Sequence, residues 1–137
     1  MKAEFATITI SGCNESKVRR ASGNKAHYVL PFSLSAKPPR EWEDIFDDVW
    51  RSERKRLMNP KAEAYLRKDE LILECALGDI EADFGVLRSS VDAANEKYTT
   101  HLKHKAEKNE KKRLKREEEE LATRQAIHEV IQRLQFS

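Results

Sequence analysis

A short basic block in the C-terminal third is the densest group of side chains suited to binding a charged ligand. Residues 111–116 carry five cations and are followed directly by four glutamates at positions 117–120; the cations are Lys111, Lys112, Arg113, Lys115 and Arg116. Lysine and arginine on successive helical turns bind the phosphates of a nucleic acid by releasing counterions. The glutamates would repel the same phosphates, so a solvated charged helix is the competing interpretation.

A second basic group lies near the N-terminus, in a stretch rich in glycine, serine and asparagine. It consists of Lys17, Arg19, Arg20 and Lys25, and Tyr28 follows shortly after. Single-stranded nucleic acids bind where cations lie beside aromatic side chains. One hypothesis is therefore nucleic-acid binding through this loop and the basic block at 111–116. The alternative for the loop is an ordinary polar connection.

Groups that would support catalysis or bind a metal are sparse. His101 and His104 are three residues apart, but zinc commonly takes three or four ligands and no cysteine accompanies them. Cys13 is the only plausible nucleophile, and it would need a histidine from elsewhere in the fold. The sequence contains no GxGxxG, P-loop, HExxH, CxxC or GxSxG motif. We therefore expect no enzymatic activity, no metal and no cofactor.

Three aspartates, Asp44, Asp47 and Asp48, resemble the carboxylate pairs used in acid–base catalysis. The helical pattern of this segment puts them on the exposed face, opposite Trp42 and Trp50. There we expect burial to leave their pKa values unchanged. Their place early in the helix is explained by the helix macrodipole, which favours acidic side chains near the N-terminus.

The composition limits the classes of protein to consider. A chain of 137 residues has room for one compact domain and an appendage. The charged fraction, 36%, exceeds the roughly 25% of ordinary globular proteins, and the net charge is only +2. Any electrostatic function must therefore be local. No apolar run approaches the ~18 residues of a membrane span, so we expect a cytoplasmic protein without a membrane partner.

Alternating apolar patterns predict four strands. Residues 4–10 are predicted as a half-buried first strand, residues 11–25 as an exposed connection, and residues 27–34 as a second strand. Pro31 lacks a backbone donor and indicates an edge position or a bulge. A hairpin is predicted over residues 61–77, with its turn at Lys68 and Asp69.

Two amphipathic helices complete the predicted body. Pro38 and Pro39 precede a helix with one apolar stripe, formed by Trp42, Ile45, Phe46, Val49 and Trp50. Gly78 and Asp79 precede the other, whose apolar positions are Phe84, Leu87, Val91, Ala94 and Tyr98. We predict an α+β body over residues 1–98, a ββαββα arrangement of a mostly antiparallel four-stranded sheet with both helices on one face.

The second helix is predicted to continue to about Leu134. No glycine follows Gly85 and no proline follows Pro60, so nothing demands an earlier end. Between Thr99 and Glu120, 14 of 22 residues are lysine, arginine or glutamate, and opposite charges four residues apart stabilise such a helix in water. We assign residues 99–137 to a charged helical extension or coiled coil.

The extension ends in an apolar stripe that needs a surface to cover it. Its residues are Leu121, Ile127, Val130, Ile131 and Leu134. Either the same body, through a turn, or another chain has to supply that surface. The leading hypothesis is a non-enzymatic module for protein interaction or oligomerisation, with another copy of the chain as the expected partner. Nucleic-acid binding is the alternative.

Overall fold

The described part of the chain, residues 7–23, 26–56 and 62–136 of a computed structural model, contains five strands and two α-helices. The strands are Ile10–Cys13 (β1), Arg19–Arg20 (β2), His27–Leu34 (β3), Glu63–Arg67 (β4) and Glu70–Ala76 (β5). The helices are Arg40–Arg56 (α1) and Ile80–Arg133 (α2). The predicted α+β class is confirmed.

The strands form one antiparallel sheet in the order β1-β3-β5-β4, and β2 pairs separately with β3. The predicted hairpin is β4 and β5, and the predicted strand over residues 27–34 is β3. The four-stranded ββαββα prediction is wrong in detail because it lacks β2. That strand has only two residues, Arg19 and Arg20, which is too short for an alternating pattern.

The first strand begins later in the chain than predicted. β1 starts at Ile10, residues 7–9 belong to no strand, and residues 4–6 lie outside the described residues. Ile8 is nevertheless fully buried, and both its backbone N–H and its carbonyl bond to the side-chain amide of Asn95. The predicted position is wrong because a side chain, and not a neighbouring strand, satisfies these backbone groups.

Pro31 lies in a central strand, so the predicted edge position is wrong. The predicted alternative was a bulge, and the irregular pairing of β1 with β3 lies between Ile10 and Gly12, opposite Leu34 and Ser33 and not at Pro31. β3 pairs with β5 along one side, while on its other side β1 ends at Cys13 and β2 begins only at Arg19. Pro31 lies beside this gap, so its missing N–H leaves no strand acceptor unpaired. Its carbonyl accepts a hydrogen bond from the N–H of Asn14 at 2.9 Å. An interrupted neighbouring strand therefore accommodates the proline.

The predicted apolar stripe of α1 forms part of the core. Trp42 and Phe46 are fully enclosed, and their rings stack with centroids 5.5 Å apart. Val49 and Trp50 are also buried, while Ile45 is partly buried. The N–H of Glu43 bonds to the carbonyl of Pro39 at 3.1 Å and so closes the first helical turn after the prolines.

The N-terminal part of α2 packs on the sheet face that carries Phe32. The ring centroid of Phe84 lies 5.1 Å from that of Phe32. Four further predicted positions are buried: Leu87, Val91, Ala94 and Tyr98. The opposite face of the sheet is also partly covered, because Ala21 packs with Val29 and Ile72 there.

Asn95 joins three separate segments in this core. Its Oδ1 accepts hydrogen bonds from the backbone N–H of Ile8 at 3.1 Å and from Nε1 of Trp42 at 2.9 Å. Its Nδ2 donates to the carbonyl of Ile8 at 2.8 Å. One buried amide therefore connects α2 both to α1 and to the segment before β1.

The turn between β4 and β5 contains a strained residue. Lys68 has a φ of 60°, a conformation in which two-residue hairpin loops favour glycine. We expect Lys68→Gly to raise the free energy of unfolding by about 0.5–1 kcal/mol, because relief of this strain exceeds the added freedom of the unfolded chain. Urea unfolding measures the change. Asp69→Gly is the control, and the explanation is wrong if both substitutions stabilise the protein equally.

The chain divides into two compact units, and α2 contributes residues to both. One unit is Phe5–Thr100, and the second contains His101–Ser137. Among the described residues 101–136, only Leu102 and Ala106 are partly buried. The predicted continuation of the helix to about residue 134 is confirmed, since α2 ends at Arg133. None of the described helices combines the length and apolar character needed to cross a bilayer.

Candidate functional site

Four apolar side chains near the end of α2 form an exposed stripe, which we call the C-terminal stripe. Ile127 and Leu134 are each 53% exposed, Val130 is 52% exposed and Ile131 is 45% exposed. At 3.6 residues per turn, their spacing confines them to an arc of about 100° on the helix. The N–H of Leu134 bonds to the carbonyl of Ile131 at 3.0 Å, which carries the helical turn past Arg133. These four side chains therefore form a continuous, exposed apolar face on this part of the helix.

Leu121, predicted as part of the same site, lies on another side of the helix. It is 67% exposed and precedes Ile127 by six residues, which turns it about 120° away from that residue. Leu114, 47% exposed, points in nearly the same direction as Leu121 because the two are seven residues apart. The structure thus separates Leu121 from the four residues of the C-terminal stripe.

All six residues of the basic block at 111–116 are exposed, and Arg113 within it has acidic partners on its own helix. Its guanidinium hydrogen-bonds to Glu110, three residues before it, and to Glu117 at 2.6 Å, four residues after it. The hydrogen bond from Arg113 lowers the pKa of Glu110. These pairs have the spacing that stabilises a solvated helix, and they reduce the positive charge that Arg113 offers to an external anion.

Two of the loop cations line a groove on the sheet face opposite Phe32. The groove has a volume of about 770 Å³, and Val29, Pro31 and Ser33 of β3 contribute to its lining. Its lining includes two acidic side chains, Asp69 and Glu70, and four cationic ones. The cations are Lys17, Arg19, Arg67 and Lys68. Nζ of Lys17 lies 3.8 Å from a carboxylate oxygen of Glu70.

The groove differs from the predicted basic loop in its members. Arg20 does not line it, because its guanidinium lies over the ring of Tyr28, 5.7 Å from the centroid. Lys25 lies outside the described residues. Arg67 and Lys68 are the members that sequence reasoning missed. The hairpin turn itself was predictable, but its approach to residues 17–19 depends on the pairing of β3 with β5.

The aspartates of α1 are not all exposed as predicted. Asp47 is partly buried, and burial is the main cause that raises its pKa; Asp44 and Asp48 raise it further, while Arg51 lowers it. The expectation of an unchanged pKa is therefore wrong for Asp47. In residues 7–23, 26–56 and 62–136, no three histidine, cysteine or acidic side chains are close enough together to hold a metal ion.

Neither cysteine has the environment of an activated nucleophile. Burial and the nearby carboxylate of Glu15 raise the pKa of Cys13, although that residue is exposed on β1. Cys75 is buried, and desolvation together with Asp83 and Asp79 raises its pKa to about 12. Because the thiolate is the reactive species, these shifts decrease reactivity at neutral pH.

The two thiols should differ in their reaction with a soluble thiol reagent. In the folded protein at pH 8 we expect Cys13 to be modified slowly and Cys75 not at all, since Cys75 is only 1% exposed. Raising the pH should accelerate modification of Cys13 by increasing its thiolate fraction. Mass spectrometry counts the labels, and unfolding in urea should release the second thiol. Rapid labelling of both sites in the native state would contradict this assignment.

Comparison of the chain with protein-family models, with curated proteins and with solved structures finds no match.

Proposed function

We propose that this protein is a non-enzymatic interaction module that self-associates through the C-terminal stripe. The supporting observation is the exposure of Ile127, Val130, Ile131 and Leu134 on one face of a helix. Contiguous apolar surface of this kind marks sites of association in proteins. The four side chains follow one another at intervals of three, one and three residues along one helical face, which fits a second helix lying along them.

The exposed area limits the free energy of association that the C-terminal stripe can supply alone. Each of its side chains is about half exposed, so full burial would contribute roughly 1 kcal/mol per side chain. Complete burial of the stripes of both copies would supply about 8 kcal/mol, which is within the estimated cost of association of about 4–15 kcal/mol. A stable pair therefore requires further contacts along the helix.

A second copy of the chain is the partner best suited to add them. The basic block at 111–116 and the glutamates at 117–120 are adjacent and of opposite sign. A helix with the same two blocks in the reverse direction brings unlike charges together, and such complementarity favours one partner over others.

Sedimentation of the full chain tests self-association. We expect the mass to rise from the monomer value of 15.9 kDa towards twice that value as the concentration increases through the micromolar range. Added salt should weaken the association only partly, because the apolar contribution is not screened. A mass of 15.9 kDa at every concentration would refute the proposal.

Nucleic-acid binding at the groove is the second candidate function. The observation in its favour is the convergence of Lys17 and Arg19 with Arg67 and Lys68 around one groove, since clustered cations bind a phosphate backbone. A mobility-shift titration with a short single-stranded oligonucleotide, at low and high salt, tests it. Arg19→Gln with Arg67→Gln should weaken a salt-sensitive complex, while Arg20→Gln, outside the groove, should not. Absence of any such complex at low salt eliminates this candidate.

A further inference from the structure

The spacing of the C-terminal stripe continues along the whole second unit of the chain. Leu134, Val130 and Ile127 alternate in steps of four and three residues, which is the seam of a two-stranded coiled coil. When these steps of four and three residues are continued towards the N-terminus, they reach Ala106 and Leu102. Both are apolar and already partly buried within their own chain, so only their remaining exposed surface is open to a second copy. The seam therefore has apolar positions at both ends.

The middle of this seam is polar and decides the direction of pairing. It contains Arg113, Arg116 and Glu120. In a parallel pair in register, each of these residues would face its own copy, giving three layers of like charge. Like charges in contact destabilise helix pairs. A parallel pair therefore conflicts with the centre of the seam.

An antiparallel pair removes these conflicts in one particular register. When Leu134 of one copy faces Leu102 of the other, Val130 faces Ala106, and the central layers become Arg116 against Glu120 on both sides of the two-fold axis. Arg113 then faces Thr123, a neutral residue. Leu134 and Val130 thus meet apolar residues of the second copy, while Ile127 faces Asn109 and Ile131 lies at the edge of the seam, across from Lys103.

Shifting this register by one heptad restores the conflicts. In one direction Arg113 faces Arg116 of the second copy, and Leu134 would have to contact Asn95, which is already buried and hydrogen-bonded within its own chain. In the other direction, Val130 and Ile127 face arginines. The first shift loses the match of opposite charges, and the second loses the apolar layers.

The positions that flank the seam are mixed in sign. In this register Glu110 lies across from Arg124, an attractive pair at an exposed position. Glu117 and Glu119 each lie near their own copies across the two-fold axis. These glutamates are exposed in the chain, where screening by solvent and salt weakens the repulsion. The central Arg116 and Glu120 layers therefore carry most of the orientation preference.

We infer that two copies of this chain pair along residues 101–135 as an antiparallel coiled coil, with Leu134 of one copy against Leu102 of the other. This inference rests on the proposed self-association and adds the direction and the register. The pairing maps residue 101 onto residue 135, so it engages the second unit, His101–Ser137, over nearly all of its length. It explains why cations and glutamates occupy the centre of a helix whose ends are apolar.

Disulfide trapping between two differently tagged chains tests the direction. One chain carries Ala106→Cys, the other Val130→Cys, and both carry Cys13→Ser to remove the exposed native thiol. In the inferred register, Ala106 of one copy faces Val130 of the other, so oxidation of the mixture should yield mainly the mixed disulfide. Each variant alone should crosslink poorly. Predominance of same-variant disulfides indicates parallel pairing and overturns the inference.

A charge reversal in the seam tests the register independently. Arg116→Glu should raise the dissociation constant by roughly tenfold or more, because both central layers change from attraction to repulsion. Adding Glu120→Arg to the same chain should restore the affinity. Lys111→Glu makes the same charge change at a position facing away from the seam, and it should have little effect. Equal weakening by Arg116→Glu and Lys111→Glu would overturn the register.

The results of these experiments distinguish failure of the antiparallel register from failure of the proposed self-association. If the full chain sediments as a monomer throughout, the proposed self-association fails and the pairing falls with it. If the chain dimerises but forms no mixed disulfide and shows no recovery in the double charge reversal, self-association stands and only the antiparallel register is refuted.

Discussion

Replacing Asn95 with alanine is expected to lower the free energy of unfolding by about 3–5 kcal/mol. The substitution removes the buried amide that bonds to both backbone groups of Ile8 and to Nε1 of Trp42. Each buried polar group left without a partner costs about 1–3 kcal/mol. Trp42 is fully enclosed, so water cannot replace the lost acceptor without repacking. Urea unfolding followed by tryptophan fluorescence measures the change.

Two controls isolate the role of that amide. Gln125→Ala removes an exposed side-chain amide from the same helix, at a position facing away from the inferred seam, and it should leave stability nearly unchanged or raise it slightly because alanine favours helix. Trp42→Phe leaves a cavity as well as removing one donor, so it should cost less in the Asn95→Ala chain, where that donor has already lost its acceptor, than in the unaltered chain. A loss below about 1 kcal/mol for Asn95→Ala would show that the three hydrogen bonds do not hold these segments together.

Replacing Ile127, Val130 and Leu134 together with glutamine is expected to abolish self-association. The triple variant removes six half-exposed apolar side chains from a dimer, each worth roughly 1 kcal/mol on burial, so the dissociation constant should rise at least about a hundredfold. Glutamine retains good helix propensity, so α2 should persist. Sedimentation gives the mass, and circular dichroism verifies the helix content.

The matched control uses the two other exposed leucines of the same helix. Leu114→Gln with Leu121→Gln removes comparable apolar surface from a different side of α2, and the dissociation constant should change little. If this control disrupts association as strongly as the triple variant, the C-terminal stripe is not the contact surface. If neither variant has an effect, the chain associates through a surface that contains neither set of side chains.

Local patterns predicted most of the elements correctly. The strand over residues 27–34, the hairpin, and the two helices each follow from apolar periodicity together with prolines and glycines at their boundaries. The length of α2 was also predictable, because nothing after Gly85 interrupts a helix and opposite charges four residues apart support it in water. In each case the determining forces act between residues close in sequence.

The candidate sites were predicted less completely, for two different reasons. Leu121 was grouped with the C-terminal stripe because it begins the apolar segment, yet helical geometry alone turns it away from Ile127. The groove could not be predicted from residue spacing. Arg19 and Arg67 line one groove only because β3, β5 and β4 pair in a particular order, and no local pattern of either segment contains that order.

The sequence by itself determined the α+β class, the core positions of α1 and α2, and the apolar end of a long charged helix, because side-chain periodicity sets which face of each element is apolar. Only the tertiary structure decided that Ile8 bonds to Asn95, that Pro31 occupies a central strand and that four cations surround one groove. These features depend on contacts between distant segments, where one buried amide or one gap between strands outweighs local preference.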